Sequence, residues 1–268
     1  MKVFQHPVLI FLLIAIVGFF LWVIWGNSAL MITEYTATST ELPSAFHGFR
    51  IAHISDLHNA EFGKDNKKLL NLLVQAQPDM IAITGDLVYS RRTDTSVAID
   101  FVREAVKIAP VYYVPGNHEA RITDYAALKA ALLSEGITVL ENSSIPLEQG
   151  TDFITITGFM DPQFGIPLPD LGADNYQVAL SHRPELLDTY SAQGLDLVLT
   201  GHAHGGQIRL PFIGGLIAPN QGFFPAYDSG MHFRENTTMV ISRGLGNSLF
   251  PLRFNNRPEL ILITLEGA

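Results

Sequence analysis

Between residues 50 and 140 the spacing of apolar residues switches repeatedly between two periods. RIAHIS (50–55), DMIAIT (79–84), VYYV (111–114) and ITVL (137–140) are short apolar runs that predict strands. The stretches 65–77, 95–108 and 123–136 between them place apolar residues three and four apart, which predicts helices. Thr123 stands where the last helix needs an N-cap, and Gly136 lies just past its end. The second half is richer in strands: 152–159, 176–182, 196–200, 237–242 and 259–265, with one helix near 184–192. Residues 201–235 are dense in Gly and Pro and predict a long functional loop or short hairpins. This alternation is that of an α/β protein.

A different pattern precedes this body. Pro7 to Gly26 carries no charged residue. At about 1.5 Å per residue, twenty residues cross a hydrocarbon core of roughly 30 Å, so the segment predicts a transmembrane helix. Trp22 and Trp25 stand near its end, where aromatic rings favour the interface. Asn27-Ser28-Ala29 is a poor signal-peptidase site, which favours an uncleaved anchor over a signal peptide. Lys2 precedes the span, and no Lys or Arg follows it until Arg50. The positive-inside rule then predicts a single-pass protein of the cell membrane with its main domain on the extracytoplasmic side. The expected organisation is an anchor (1–27), a Thr/Ser-rich linker leading into the domain (28–48), and one α/β domain (49–268), with no internal repeat.

Composition narrows the chemistry. Hydrophobic residues make up 47%, as a globular core requires. The formal net charge of −9 argues against nucleic-acid binding, which needs a basic face. There is no cysteine, so any metal must be held by His, Asp, Glu, Asn or water.

The polar residues that close the predicted strands supply such a set. Asp56 and His58 follow the first strand, Asp86 the second, and Asn117, His118 and Glu119 the third. His182 closes the strand at 176–182, and His202 and His204 follow the strand at 196–200 in the run GHAHGG. Taken singly, D-L-H, G-D or one histidine reads as turn chemistry or a satisfied core residue. Five strands ending in ligand types at the same end do not, because carboxyl ends of strands in an open α/β sheet are where ligands bind. Mixed His, Asp and Asn ligation suits Mn, Zn, Fe or Co better than Ca. A pair of such cations about 3.5–4 Å apart needs an anionic bridge, lowers the pKa of a shared water, and clamps a phosphoryl oxygen during in-line attack.

The ordered set D-L-H, G-D, G-N-H-E, S-H and G-H-A-H resembles the calcineurin-like metallophosphoesterase superfamily. The runs GGQIRLPFIGGLIAPNQGFF and SRGLGNS are similar to its bacterial YkuE- and YaeI-like phosphodiesterases. The resemblance implies a four-layer sandwich of two mixed β-sheets flanked by helices. It implies that Asp56, His58 and His204 hold one metal, Asn117, His182 and His202 the other, and that Asp86 bridges them. It implies that His118 is the non-ligand histidine near the leaving group. Arg243 and Arg209 are candidates for a substrate phosphate, and His47, His53 and His232 read as structural or solvated. The function expected is a membrane-anchored hydrolase of phosphodiester or pyrophosphate bonds, acting by attack of a metal-bridging hydroxide. Its substrate would be a phosphorylated small molecule, or a lipid-linked or envelope compound reached by apolar loops such as PFIGG and FFPAY. The alternative is a non-catalytic metal-binding scaffold that recruits partner proteins; such scaffolds tend to lose a ligand or the GNH histidine, and here both are present. A single-zinc peptidase has no support, since no H-E-x-x-H occurs.

Overall fold

The computed structural model describes residues 5–247 and 250–268, with side chains from Pro7 onward. Lys2, on which the orientation argument rests, and Ser248 of SRGLGNS lie outside the described residues.

The chain opens with helix α1 (Gln5–Ser28), whose apolar side chains are almost all exposed. Strands β1 (Met31–Ser39), β2 (Arg50–Ile54), β3 (Met80–Thr84), β4 (Val111–Val114) and β5 (Thr138–Val139) follow, with α2 (Lys67–Ala76), α3 (Ser96–Ala105) and α4 (Tyr125–Ser134) between them. Then come β6 (Ser143–Gln149), β7 (Asp152–Gly158), β8 (Gln177–Leu180), α5 (Leu187–Ala192) and β9 (Leu197–Thr200). Two small hairpins join β10 (Arg209–Leu210) to β11 (Gly214–Gly215) and β12 (Ile217–Ala218) to β13 (Gly222–Phe223). The chain closes with β14 (Gly230–Arg234), β15 (Thr237–Ile241) and β16 (Glu259–Gly267).

Among the described residues these build two six-stranded sheets, ordered β1-β16-β2-β3-β4-β5 and β14-β15-β9-β8-β7-β6. β2, β3 and β4 run parallel in the first, and β7, β8, β9 and β15 run parallel in the second. Each sheet also carries antiparallel pairs, β16 with β2 in one, and β14 with β15 and β6 with β7 in the other. Side chains alternate across a strand, so each sheet buries two faces. Ala52, Ile54, Ile81 and Ile83 pack under α2, α3 and α4. Ile51, Met80 and Ala82 face Ile156, Val178, Leu199 and Val240 of the other sheet. Ala179, Val198, Met239 and Ile241 turn outward to Leu187 and Tyr190 of α5. The result is helix, sheet, sheet, helix: the four layers expected. Each such fully buried Ile, Val or Leu contributes about 1.5–3 kcal/mol relative to leaving it exposed.

Two local expectations change, and one strand is added. The Thr/Ser-rich stretch read as a linker contains β1, which pairs in parallel with β16 from Met31 to Ser39. Its polar residues suit an edge strand with one wet face. β6, an edge strand that contains Pro146, is not among the predicted strands. The cap of α4 is Asp124, whose Oδ1 accepts from the Ala127 N–H at 2.9 Å; Thr123 makes no such bond.

Candidate metal centre

Five loops at the carboxyl ends of β2, β3, β4, β8 and β9 meet at one end of the sandwich. The backbone zips them together: Asp56 N donates to Gly85 O at 3.0 Å and His58 N to Asp86 O at 2.9 Å. His182 Nδ1 donates to Thr84 O at 2.7 Å, and His202 N to Asp56 Oδ2 at 3.1 Å, so the site also stitches one sheet to the other. Asp56, His58, Asp86, His202 and His204 all have φ between 49° and 65°. Non-glycine residues held in this region carry strain that the surrounding structure must support, and such residues cluster at functional sites. Close approach demands glycine at Gly116, where a Cβ would lie 2.3 Å from Asp86 Oδ1, and at Gly201, where it would lie 1.8 Å from Ser55 Oγ.

The sequence-predicted residues converge. Asp56, His58 and His204 form one buried group, and Asp86, His182 and His202 another, each with its ligand atoms within 4.8 Å of one another. His58 Nε2 stands 3.2 Å from His204 Nε2, and Asp56 Oδ1 is 3.4 Å from His204 Nε2 and 3.8 Å from His58 Nε2. In the second group His182 Nε2 is 3.2 Å from Asp86 Oδ2, 3.2 Å from His202 Nδ1 and 3.1 Å from Asn117 Oδ1. Ligands bonded to a cation at about 2.1 Å lie about 3.0–3.5 Å from one another, close to these separations.

Other observations fit a divalent cation. Asp56 Oδ1 is buried with no hydrogen-bond partner, although three imidazoles surround it. The His182 Nδ1–H bond to the Thr84 carbonyl fixes the tautomer and leaves Nε2 as the inward ligand, the arrangement typical of metal-bound histidine. Burial holds His58 and His204 down at about 3, and His202 well below its usual value, so these rings are neutral, the form that can accept a cation. His182 differs: burial alone would lower it, but the Asp86 carboxylate beside it outweighs burial and pushes it up to about 10. Asp86 is held well below the usual carboxylate range, because His182 outweighs the burial that would raise it.

His118 lies in the same cleft, its Nε2 4.0 Å from Asp86 Oδ2. The Ser90 backbone N–H donates to His118 Nδ1 at 3.0 Å. An amide N–H cannot accept, and burial lowers the His118 pKa, so the neutral ring carries its proton on Nε2. That nitrogen faces the site as a donor, and His118, His58 and Asp86 form a third buried group, with ligand atoms within 4.8 Å of one another.

Glu119 serves structure. Its carboxylate accepts from the backbone N–H groups of Asp86 and Gly116 at 2.8 Å and of Val88 at 3.2 Å, locking the loops after β3 and β4 together. Arg183 and Asp161 went unnoticed in the sequence, although Arg183 directly follows His182. They form a buried bidentate pair, and Arg183 Nη1 donates to His202 Nε2 at 2.8 Å. That bond sets the ring plane of His202 and puts the neutral ring's proton on Nδ1, so a cation bound there displaces a proton.

The arginines expected at substrate sit elsewhere. Arg243 is tied to buried Glu259, and Arg209 to Asp228 at 3.1 Å and to Gly205 O at 2.9 Å. Neither lines the cleft around Asp86 and His118. Arg91 and Arg121 do, together with Ser90, Pro219 and Asn220, around a volume of about 180 Å³. Their loops gave no motif to single them out. His47 pairs with Glu266 at the surface, His53 is buried against Thr84, and His232 bonds Ser229 O; all three stand apart from the cleft.

Residues 49–206 match the family described as calcineurin-like phosphoesterase. The chain belongs to the calcineurin-like phosphoesterases. Like other members of this family it is a metal-dependent phosphoester hydrolase. It is similar to the uncharacterised metallophosphoesterase YkuE of Bacillus subtilis, with 31% identity covering 88% of this chain and 85% of that one. It is also similar to the phosphodiesterase YaeI of Escherichia coli, with 29% identity covering 81% and 82%. Among solved structures, the fold is shared with the sulfate thiohydrolase SoxB of Thermus thermophilus at a TM-score of 0.50 and 13% identity, covering 84% of this chain and 57% of that one.

Proposed function

We propose that this calcineurin-like phosphoesterase hydrolyses phosphodiester or pyrophosphate bonds at the membrane surface with two divalent cations, Mn, Zn, Fe or Co. The observation that supports this reading is that one atom, Asp86 Oδ2, lies within reach of histidines from both groups, 3.6 Å from His58 Nε2 and 3.2 Å from His182 Nε2. Asp56, His58 and His204 would hold one cation, Asn117, His182 and His202 the other, and Asp86 both. Bound cations supply Lewis acidity, polarising a phosphoryl oxygen and lowering the pKa of water.

The chain's own groups do the rest. His118 presents its Nε2–H to the oxygen that departs and stabilises the charge growing there. Arg91 and Arg121 line the same cleft, where they would offset the charge of an anionic leaving group. That second patch of positive charge favours a diester or pyrophosphate of an anionic group over a plain monoester.

The membrane reading rests on α1. Pro7–Ser28 is long and apolar enough to cross a bilayer, with a mean hydropathy of 3.0. Its last turn is bound into the domain: Asn27 Nδ2 donates to Arg253 O at 2.9 Å, and Asn27 Oδ1 accepts from Arg253 N at 2.7 Å. Arg257 bonds Ala29 O and Leu30 O and lies over the Trp25 ring. Cleavage at 27–29 would break these bonds, which favours an uncleaved, single-pass anchor. The lack of Lys and Arg between Lys2 and Arg50 favours an extracytoplasmic domain. A substrate linked to lipid suits a site carried at the bilayer.

The test uses the full chain in nanodiscs with Mn²⁺ and bis-p-nitrophenyl phosphate, and measures metal content. Turnover, with two equivalents of metal lost together in Asp86→Ala, is expected. Absence of turnover with Mn, Zn, Co, Ni and Fe, or two metals retained in Asp86→Ala, would overturn it.

A further inference from the structure

A groove of about 480 Å³ opens beside the metal centre. Its walls are Ala203, Ile208, Ile217, Ala218, Pro219 and Phe250. His204 and Pro219 line both this groove and the cleft that holds Asp86 and His118, so the two adjoin across these residues. Its one amide side chain is already engaged: Gln207 Nε2 donates to Phe250 O at 2.9 Å and to Leu252 O at 3.0 Å. The groove thus offers a ligand apolar contact and almost nothing to hydrogen-bond. Ile217 and Phe250 are 44% and 48% exposed on its walls, a large apolar surface for a protein to leave to water.

The groove is also next to the membrane helix. Ile208 is bridged to Phe254, and the Phe254 ring packs on Phe19 and Trp22 of α1 at centroid distances of 6.0 and 5.0 Å. Phe223 and Phe224, at the end of the hairpin whose Ile217 and Ala218 line the groove, and Phe212, on the preceding hairpin, are largely exposed. Exposed apolar side chains near a membrane-spanning helix favour the bilayer interface. Arg91 and Arg121 line the cleft but not the groove.

We infer that this groove seats a hydrocarbon chain of the substrate, which enters sideways from the bilayer while its phosphoester reaches the metal centre. The substrate class is an amphiphile: a phospholipid or lipid pyrophosphate with its chain on the His204 side and its anionic group on the His118 side. Water adds across one P–O bond, and the chain-bearing product stays in the groove or returns to the bilayer. This rests on the phosphoesterase reading above and adds the identity of the ester group.

The experiment compares methyl p-nitrophenyl phosphate with hexyl p-nitrophenyl phosphate, both dissolved in water, on the full chain in nanodiscs with Mn²⁺. Each methylene buried is worth roughly a fourfold gain in affinity, and partial burial of five predicts a kcat/KM ratio of about a hundredfold in favour of hexyl. Ile217→Trp and Ile208→Trp, which fill the groove from different walls, should each collapse that ratio towards one. Taking the ratio within each variant cancels any loss of folded or metal-loaded enzyme, and partition of the ester into the nanodisc is the same for all of them. A wild-type ratio below about threefold, or a ratio that survives both tryptophans, would overturn the groove assignment while leaving the hydrolase reading intact. If neither ester is hydrolysed, the phosphoesterase reading falls and this one with it.

Discussion

The backbone N–H of Ser90 donates to Nδ1 of His118 at 3.0 Å, which turns the other nitrogen of that ring into a fixed donor facing Asp86. His118→Asn should keep the bound metals and lower kcat by about a hundredfold or more. Ser90→Ala removes only the hydroxyl, which lies 3.1 Å from the same nitrogen, and leaves the amide that sets the tautomer. It should change kcat by less than about threefold. Steady-state kinetics paired with metal analysis checks both; equal losses would place the tautomer control in the hydroxyl instead.

Glu119 joins the loops after β3 and β4 through three backbone N–H groups. In Glu119→Gln one oxygen becomes an amide that cannot accept, so at least one buried N–H loses its partner. The expected cost is about 1–3 kcal/mol, or roughly 2–10 °C in melting temperature. Thermal unfolding of the metal-free variant against metal-free wild type isolates this from any loss of metal, and an unchanged melting point would show the contacts to be dispensable.

Without cations, Asp56 Oδ1 has no hydrogen-bond partner although it is buried among three imidazoles. Chelation should therefore destabilise the fold. At a hundredfold excess of metal over Kd, its removal is worth about 3 kcal/mol, which lowers the melting temperature by roughly 6–12 °C. Scanning calorimetry with EDTA and after readdition of Mn²⁺ measures the effect; a melting point indifferent to both would count against tight binding.

The chain contains no cysteine, so a single introduced one reports its own location. Glu148→Cys on edge strand β6 is exposed. In intact cells it should react with a membrane-impermeant maleimide if the domain is extracytoplasmic. Labelling only after lysis would reverse the orientation.

Much of the site was legible because each ligand follows an apolar run closely. Asp56, Asp86, Asn117 and His202 lie within three residues of a strand end, so strand prediction alone lines them up. What the sequence hid were partnerships between residues distant along the chain. Arg243 and Arg209 look free until Glu259 and Asp228 are brought beside them. Arg183 looks like any residue of a turn until the fold turns it onto His202 and Asp161. β1 was obscured for another reason: its polar outer face erases the alternation that marks half-buried strands, and its parallel partner β16 lies more than two hundred residues away.

Only Ala29 and Leu30 separate the last residue of α1 from the first of β1. Two extended residues span about 7 Å, too short a tether to let the domain roam. With α1 in a bilayer, as proposed above, the enzyme's working range is a thin shell against that membrane. Scissile bonds displayed within a headgroup's depth are in reach, and anything farther away must diffuse to it.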